Sequence, residues 1–145
     1  MKKSHEKIAI IDFGSQYGQL IARRVREQKV LSAIYPPSVR AEELAGENLA
    51  GIILSGGPAS VYDENAPSCD EKLFDLGVPV LGICYGMQIA SKILGADIRP
   101  AESREYGRTN LHVSEDSGLL AGVPEKTTVW MSHSDQVNQL NDDFI

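Results

Sequence analysis

The sequence predicts an α/β protein built on a doubly wound, mostly parallel sheet with flanking helices. Three observations carry that expectation: short continuous apolar runs suited to strands covered on both faces, helical periodicity in the segments between them, and glycine- or proline-rich breaks where the runs end. Lys7 to Phe13, with Ile8-Ala9-Ile10-Ile11 at its centre, reads as a central parallel strand. Asp12, Gly14 and Ser15 break it, and Tyr17, Leu20, Ile21, Arg24 and Val25 then recur at helical spacing. Leu31 to Tyr35 is a second strand, stopped by Pro36-Pro37, and Ala41 to Leu44 reads as a short helix. Ala50 to Ser55 is the third strand and ends in Gly56-Gly57-Pro58. Cys69 to Leu76 reads as helical, Val78 to Ile83 as the fourth strand, and Met87 to Leu94 as a helix closed by Gly95. Strands alternating with helices through short loops imply right-handed parallel crossovers.

Beyond Gly95 the pattern changes. Asp97 to Arg99, Leu111 to Val113 and Thr127 to Met131 read as shorter strands among polar loops, in the manner of antiparallel additions. Residues 1–6 are expected to form a tail and 7–145 a single domain. The chain stops at Asn141-Asp142-Asp143-Phe144-Ile145, where a new apolar segment begins, so the domain is expected to be incomplete at its C-terminus.

At 145 residues, 42% hydrophobic and 23% charged, the chain suits one globular domain with a real core. A net charge of -6 and the lack of any basic run interleaved with aromatics argue against nucleic acid as a partner. The basic N-terminus is followed by an apolar stretch of only Ile8 to Ile11, too short for a signal peptide, and no segment approaches the roughly 20 apolar residues of a membrane span. A cytoplasmic location is therefore expected, with Cys69 and Cys84 as free thiols. The scattered cysteines and histidines show no metal-ligand spacing.

Val80 to Gln88 carries the chemistry. Cys84 stands between Gly82 and Gly86, with an apolar run before it and a helical pattern after it, which is the pattern of a nucleophile elbow. The elbow is familiar with serine, and because its sharp strand-to-helix turn depends on the flanking glycines it extends to cysteine. The thiol is left at a helix N-terminus, whose unpaired N–H groups favour the nucleophilic thiolate. In open parallel sheets ligands bind at the carboxyl ends of the strands, so the loops after Phe13, Ser55 and Ile83 should line one crevice. The Gly56-Gly57-Pro58 loop and the residue after the nucleophile, Tyr85, can each offer a backbone N–H to a developing oxyanion, as a cysteine attacking a carbonyl requires.

Five segments, Asp12 to Tyr17, Leu54 to Pro58, Gly82 to Gln88, Arg104 to Gly107 and Trp130 to His133, together resemble class I glutamine amidotransferases. More narrowly they resemble the amidotransferase domains of the GMP synthase branch, over nearly the whole chain from about Lys7. The resemblance implies a flavodoxin-like architecture and thiolate attack by Cys84 on the side-chain amide of glutamine, followed by release of ammonia and hydrolysis of a glutamyl thioester. It implies oxyanion N–H groups from Gly57 and Tyr85, a glutamine contact from Gln88, and a loop of Ser132, His133 and Asp135 that holds the amino-acid end, with the Asp135 carboxylate suited to the α-ammonium. Where that loop usually has glycine, this chain has Ser134. It also implies no cofactor in this domain, ATP and Mg2+ in a synthetase domain or subunit that converts XMP to GMP, and a homodimer as one assembly of the full-length enzyme.

The family draws its catalytic histidine, and a glutamate two residues on, from a later segment, and no His-x-Glu pair follows Cys84 here. His5 lies in the tail, His112 in an alternating strand, and His133 in the substrate loop, so the chain as given is expected to lack glutaminase turnover. Cys69 reads as structural, Arg23, Arg24 and Arg26 as a solvated helix face or a docking face, and Arg104 to Gly107 as support for the pocket or for a partner contact. Three other readings stay open: an amidotransferase serving anthranilate, CTP or carbamoyl phosphate synthesis, a noncatalytic regulatory module of the same fold, and a cysteine hydrolase or peptidase.

Overall fold

A computed structural model of the chain describes residues 5–115 and 118–145, with the backbone alone for residues 103–105, 133 and 134. Four parallel strands form the main sheet: β1 (Lys7–Ile11), β2 (Leu31–Tyr35), β3 (Leu49–Leu54) and β4 (Val80–Gly82), in the order β2-β1-β3-β4. The helices are α1 (Gly18–Glu27), α2 (Ala41–Ala45) and α3 (Tyr85–Ile93). β1 is central, with Ile10 level with Ile34 of β2 and Ile53 of β3.

The apolar run of β1 is explained by burial on both faces, since Ala9, Ile10 and Ile11 are all 0% exposed. Ala9 and Ile11 join the cluster of Phe13, Leu44, Ile52, Leu54, Tyr85 and Ile89. Ile10 points the other way, as strand geometry requires, toward the face on which α1 packs through Ala22. Helices thus cover both sides of the sheet. Among the described residues, no helix is long and apolar enough to cross a membrane.

Several sequence expectations shift at their edges. The Cys69 to Leu76 segment is helical only as a 3-10 turn, Glu71–Asp75, with Asp70 capping it through a bond from the Lys72 N–H. The fourth strand is trimmed to Val80–Gly82, and the following helix begins at Tyr85, two residues early, because Ile83 and Cys84 alone complete the turn.

The larger difference lies beyond Gly95. The expected short strands are parts of two long ones, β5 (Asp97–His112) and β6 (Lys126–Gln139), paired antiparallel in a sheet of their own. Polar residues such as Arg108 and Asn110 read as loop in the sequence. An antiparallel ribbon satisfies their backbone groups while leaving one face in water, so no continuous apolar run is needed. The alternation shows this: Tyr106, Arg108, Asn110 and His112 are exposed, whereas Gly107, Thr109 and Leu111 are half-buried. The register shifts between Pro100 and Glu105, consistent with a proline that cannot donate to the ladder.

Candidate active site

The site grows from the ends of β3 and β4. β4 stops at Gly82 and α3 starts at Tyr85, leaving Ile83 and Cys84 to make the turn. Cys84 takes φ 50° and ψ −114°, a conformation that costs a residue with a side chain of order 1–3 kcal/mol. Its neighbours show why the turn needs glycine. A Cβ on Gly86 would sit 2.2 Å from the Leu54 carbonyl oxygen, and one on Gly82 would lie 2.6 Å from the Met87 Cα. The packing of α3 onto β3 leaves no room for either atom, and Cys84 is presented exposed at the helix N-terminus.

The loop after β3 closes against the loop after β1. A Cβ on Gly57 would come within 2.3 Å of the Phe13 carbonyl oxygen, so only glycine permits this approach. Ser55, fully buried, ties the two loops: its Oγ accepts the Phe13 N–H at 3.0 Å and donates to the Gly56 carbonyl at 2.9 Å. Asp12 turns the first loop by accepting the N–H groups of Gly14 and Ser15 through Oδ1. Tyr85, 2% exposed, lies 5.3 Å from the Phe13 ring, and its hydroxyl donates to the Pro67 carbonyl. Burial pushes its phenol above the usual range, so the group stays a proton donor.

Between these elements lies a cavity of about 260 Å³. Cys84, Gly57 and Tyr85 border it together with Pro58 and Ala59, while Gln88, Tyr106 and Ser132 close it from α3, β5 and β6. Drug-sized ligands occupy about 300–1,000 Å³, so the space fits a small substrate. Of the sequence-predicted site residues, Gly57, Cys84, Tyr85, Gln88 and Ser132 are therefore brought to one place. Gln88 is 4% exposed, and its Nε2 donates to the Asp135 carbonyl at 2.8 Å. Asp135 does not line the cavity: the residue is 5% exposed and its carboxylate is turned onto Ser60 and Val61. The side chains of Arg104, Glu105 and His133, all singled out in the sequence, lie outside the described residues. Neither His5 nor His112 borders the cavity. Cys69 is half-buried, and burial pushes its thiol up to about 11, which suits a structural residue.

Residues 9–145 match the family described as glutamine amidotransferase class-I. The chain belongs to that family. The elbow, the glycine loop and the residues that line the cavity all fall within the stretch matched to the amidotransferase family. Among curated relatives, the glutamine-hydrolyzing GMP synthases of Bacillus cytotoxicus and Bacillus anthracis are each 52% identical over all 145 residues. The chain spans 28% of the length of each. Among solved structures, a protein from Thermoplasma acidophilum, provisionally assigned as one component of a GMP synthase, superposes with a TM-score of 0.81 at 31% identity, covering 95% of this chain and 69% of that one. A glutamine amidotransferase from Thermotoga maritima, at 22% identity and a TM-score of 0.66 over 93% of this chain and 63% of its own, shares the fold.

Ser60 and Val61 were not visible as site residues in the sequence. Their partner, Asp135, is 75 and 74 positions away, and no local pattern marks a contact at that separation.

Proposed function

We propose that this amidotransferase is the glutaminase part of a glutamine-hydrolysing GMP synthase. The single observation that carries the chemistry is the strained, exposed Cys84 on the same small cavity as Gly57 and Tyr85. What favours this synthase over one making anthranilate, CTP or carbamoyl phosphate is the 52% identity over the whole chain with relatives named GMP synthase.

In this reading the Cys84 thiolate attacks the side-chain carbonyl carbon of glutamine. The backbone N–H groups of Gly57 and Tyr85 hold the oxyanion of the tetrahedral intermediate, where one such donor is worth about 3 kcal/mol. Collapse of the intermediate breaks the C–N bond, and the nitrogen leaves as ammonia after gaining a proton. Water then cleaves the thioester to give glutamate and the free thiol. Gln88 and the 132–133 stretch of β6 contact the amino-acid portion. The family resemblance draws the base from a later His-x-Glu segment, neither His5 nor His112 borders the cavity, and the chain alone is expected to turn over little glutamine.

The ammonia passes to a synthetase domain or subunit that uses ATP and Mg2+ to convert XMP to GMP. Among the described residues, no group of three or more His, Cys, Asp or Glu side chains is arranged to hold a metal ion.

Two measurements on the full-length protein test the proposal. A diazo-ketone analogue of glutamine is expected to alkylate Cys84, and alkylation of Cys69 instead refutes the assignment. Cys84→Ala is expected to abolish glutamine-dependent GMP synthesis while leaving synthesis from free ammonia largely intact. Equal loss of both activities makes Cys84 structural.

A further inference from the structure

Among the described residues, Asp135 is the only charged residue buried as a whole, backbone and side chain together. A carboxylate withdrawn from water is costly unless hydrogen bonds replace its hydration. Here Oδ2 accepts the Ser60 hydroxyl at 2.6 Å and the Val61 N–H at 3.3 Å. Ser60 is oriented for this: its Oγ accepts the Tyr62 N–H at 3.2 Å, and its own N–H donates to Asp63 at 2.8 Å. The hydroxyl proton is thereby directed at Asp135. The backbone of Asp135 makes a second link, since its carbonyl accepts Gln88 Nε2.

One residue thus joins three elements that border the cavity: the loop after β3, helix α3 and strand β6. Other stitches hold the same loop. Lys92 Nζ donates to the Val61 carbonyl at 2.9 Å, the Tyr62 hydroxyl donates to the Ile98 carbonyl at 2.5 Å, and Val61 itself is 1% exposed in the core. Gly57 lies three residues before Ser60 on this loop.

We propose that Asp135 is a positioning residue whose carboxylate latches residues 58–62 onto β6 while its carbonyl fixes Gln88, so that the glutamine pocket has its shape before substrate enters. The proposal rests on the glutaminase reading above. It departs from the sequence expectation that this carboxylate meets the α-ammonium, because Oδ2 is committed to Ser60 and Val61 and the residue stands behind the cavity wall.

The test uses the full-length protein and two readouts. In the first, Cys84 is alkylated by the diazo-ketone analogue over a concentration series, with iodoacetamide as a reagent that needs no glutamine pocket. Ser60→Ala and Asp135→Ala are each expected to raise the half-saturating analogue concentration about tenfold, in line with losing a hydrogen bond to a charged group. The iodoacetamide rate is expected to stay unchanged. Asp135→Asn, whose amide oxygen still accepts both bonds, is expected to stay close to the parent. In the second readout, hydrogen exchange, the amides of 58–62 are expected to speed up in both alanine variants and not in Asp135→Asn, with β1 and β3 unchanged.

If Asp135→Asn is as impaired as Asp135→Ala while Ser60→Ala behaves like the parent, the charge acts on substrate and the latch is overturned. Parent-like exchange at 58–62 in both alanine variants also overturns it. A parent protein with no saturable labelling refutes the glutaminase reading instead, and the exchange data still decide the latch. Should the alanine variants not fold, Ser60→Thr and Ser60→Cys stand in: the threonine is expected to keep the latch and the cysteine to weaken it.

Discussion

Cys84 shows how a single residue carries both reactivity and strain. At φ 50° and ψ −114° its Cβ is crowded by its own backbone, a cost of order 1–3 kcal/mol that glycine escapes. Glycine also loses about 0.4–1 kcal/mol through the greater freedom of the unfolded chain. Cys84→Gly is therefore expected to be more stable than Cys84→Ala by about 1 kcal/mol in urea unfolding, although both lack the nucleophile. The opposite holds at Gly86, where an added methyl meets the Leu54 carbonyl at 2.2 Å. Gly86→Ala is expected to destabilise the protein by about 3 kcal/mol, at the upper end for overpacking. Gly57→Ala forces its loop off the Phe13 carbonyl and displaces a proposed oxyanion donor, so glutamine-dependent turnover is expected to fall about 100-fold. A rate within a few-fold of the parent would show that the Gly57 N–H faces elsewhere.

At the scale of elements, the start of β1 is tied to the segment between α2 and β3. Lys7 forms an ion pair with Glu47 and donates to the Tyr35 hydroxyl at 2.9 Å, which in turn donates to Glu47 at 2.8 Å. The bond from Lys7, and then that from Tyr35, holds the Glu47 carboxyl below its usual value, and the bond to Glu47 holds the Lys7 ammonium above its own. Glu47 therefore contributes stability that is present above pH 4.5 and lost as pH falls through its lower folded value. Lys7 contributes below pH 10.5 and loses its share as pH rises through its higher folded value. Glu47→Gln is expected to flatten the acid limb of Tm against pH and leave the neutral plateau nearly level. These elements were legible in the sequence because Ile8 to Ile11 and Gly51 to Leu54 are apolar without interruption, which only strands covered on both sides sustain. The ribbon was not, because the Glu102 to Asn110 stretch alternates without a hydrophobic run and its extended form comes from a partner strand far along the chain.

For the molecule as a whole, the two sheets differ in how well water can reach their backbones. β1 has a strand on each side, whereas among the described residues β5 and β6 each have one partner and an open edge. Native-state hydrogen exchange is expected to be slowest in β1 and β3 and faster by orders of magnitude at the Asn110 and Thr128 end of the ribbon. Uniform protection across both sheets would mean that the ribbon is covered. The same contrast explains which parts of the candidate site could be read in advance. Gly57, Cys84, Tyr85 and Gln88 sit on short local patterns whose geometry is dictated by glycine and by helix periodicity. The hold of Asp135 on Ser60 depends on the path of β6, which no local pattern encodes.

Trp130, the only tryptophan in the 145 residues, stands 76% exposed on the ribbon, level with Arg108. An indole reports the wetness of its surroundings through its emission colour, so this chain carries a built-in optical gauge on β6, two residues from the cavity-lining Ser132. Any surface that settles over β6 shifts that emission toward the blue, and association can be titrated without a dye, a tag or a change to a single residue.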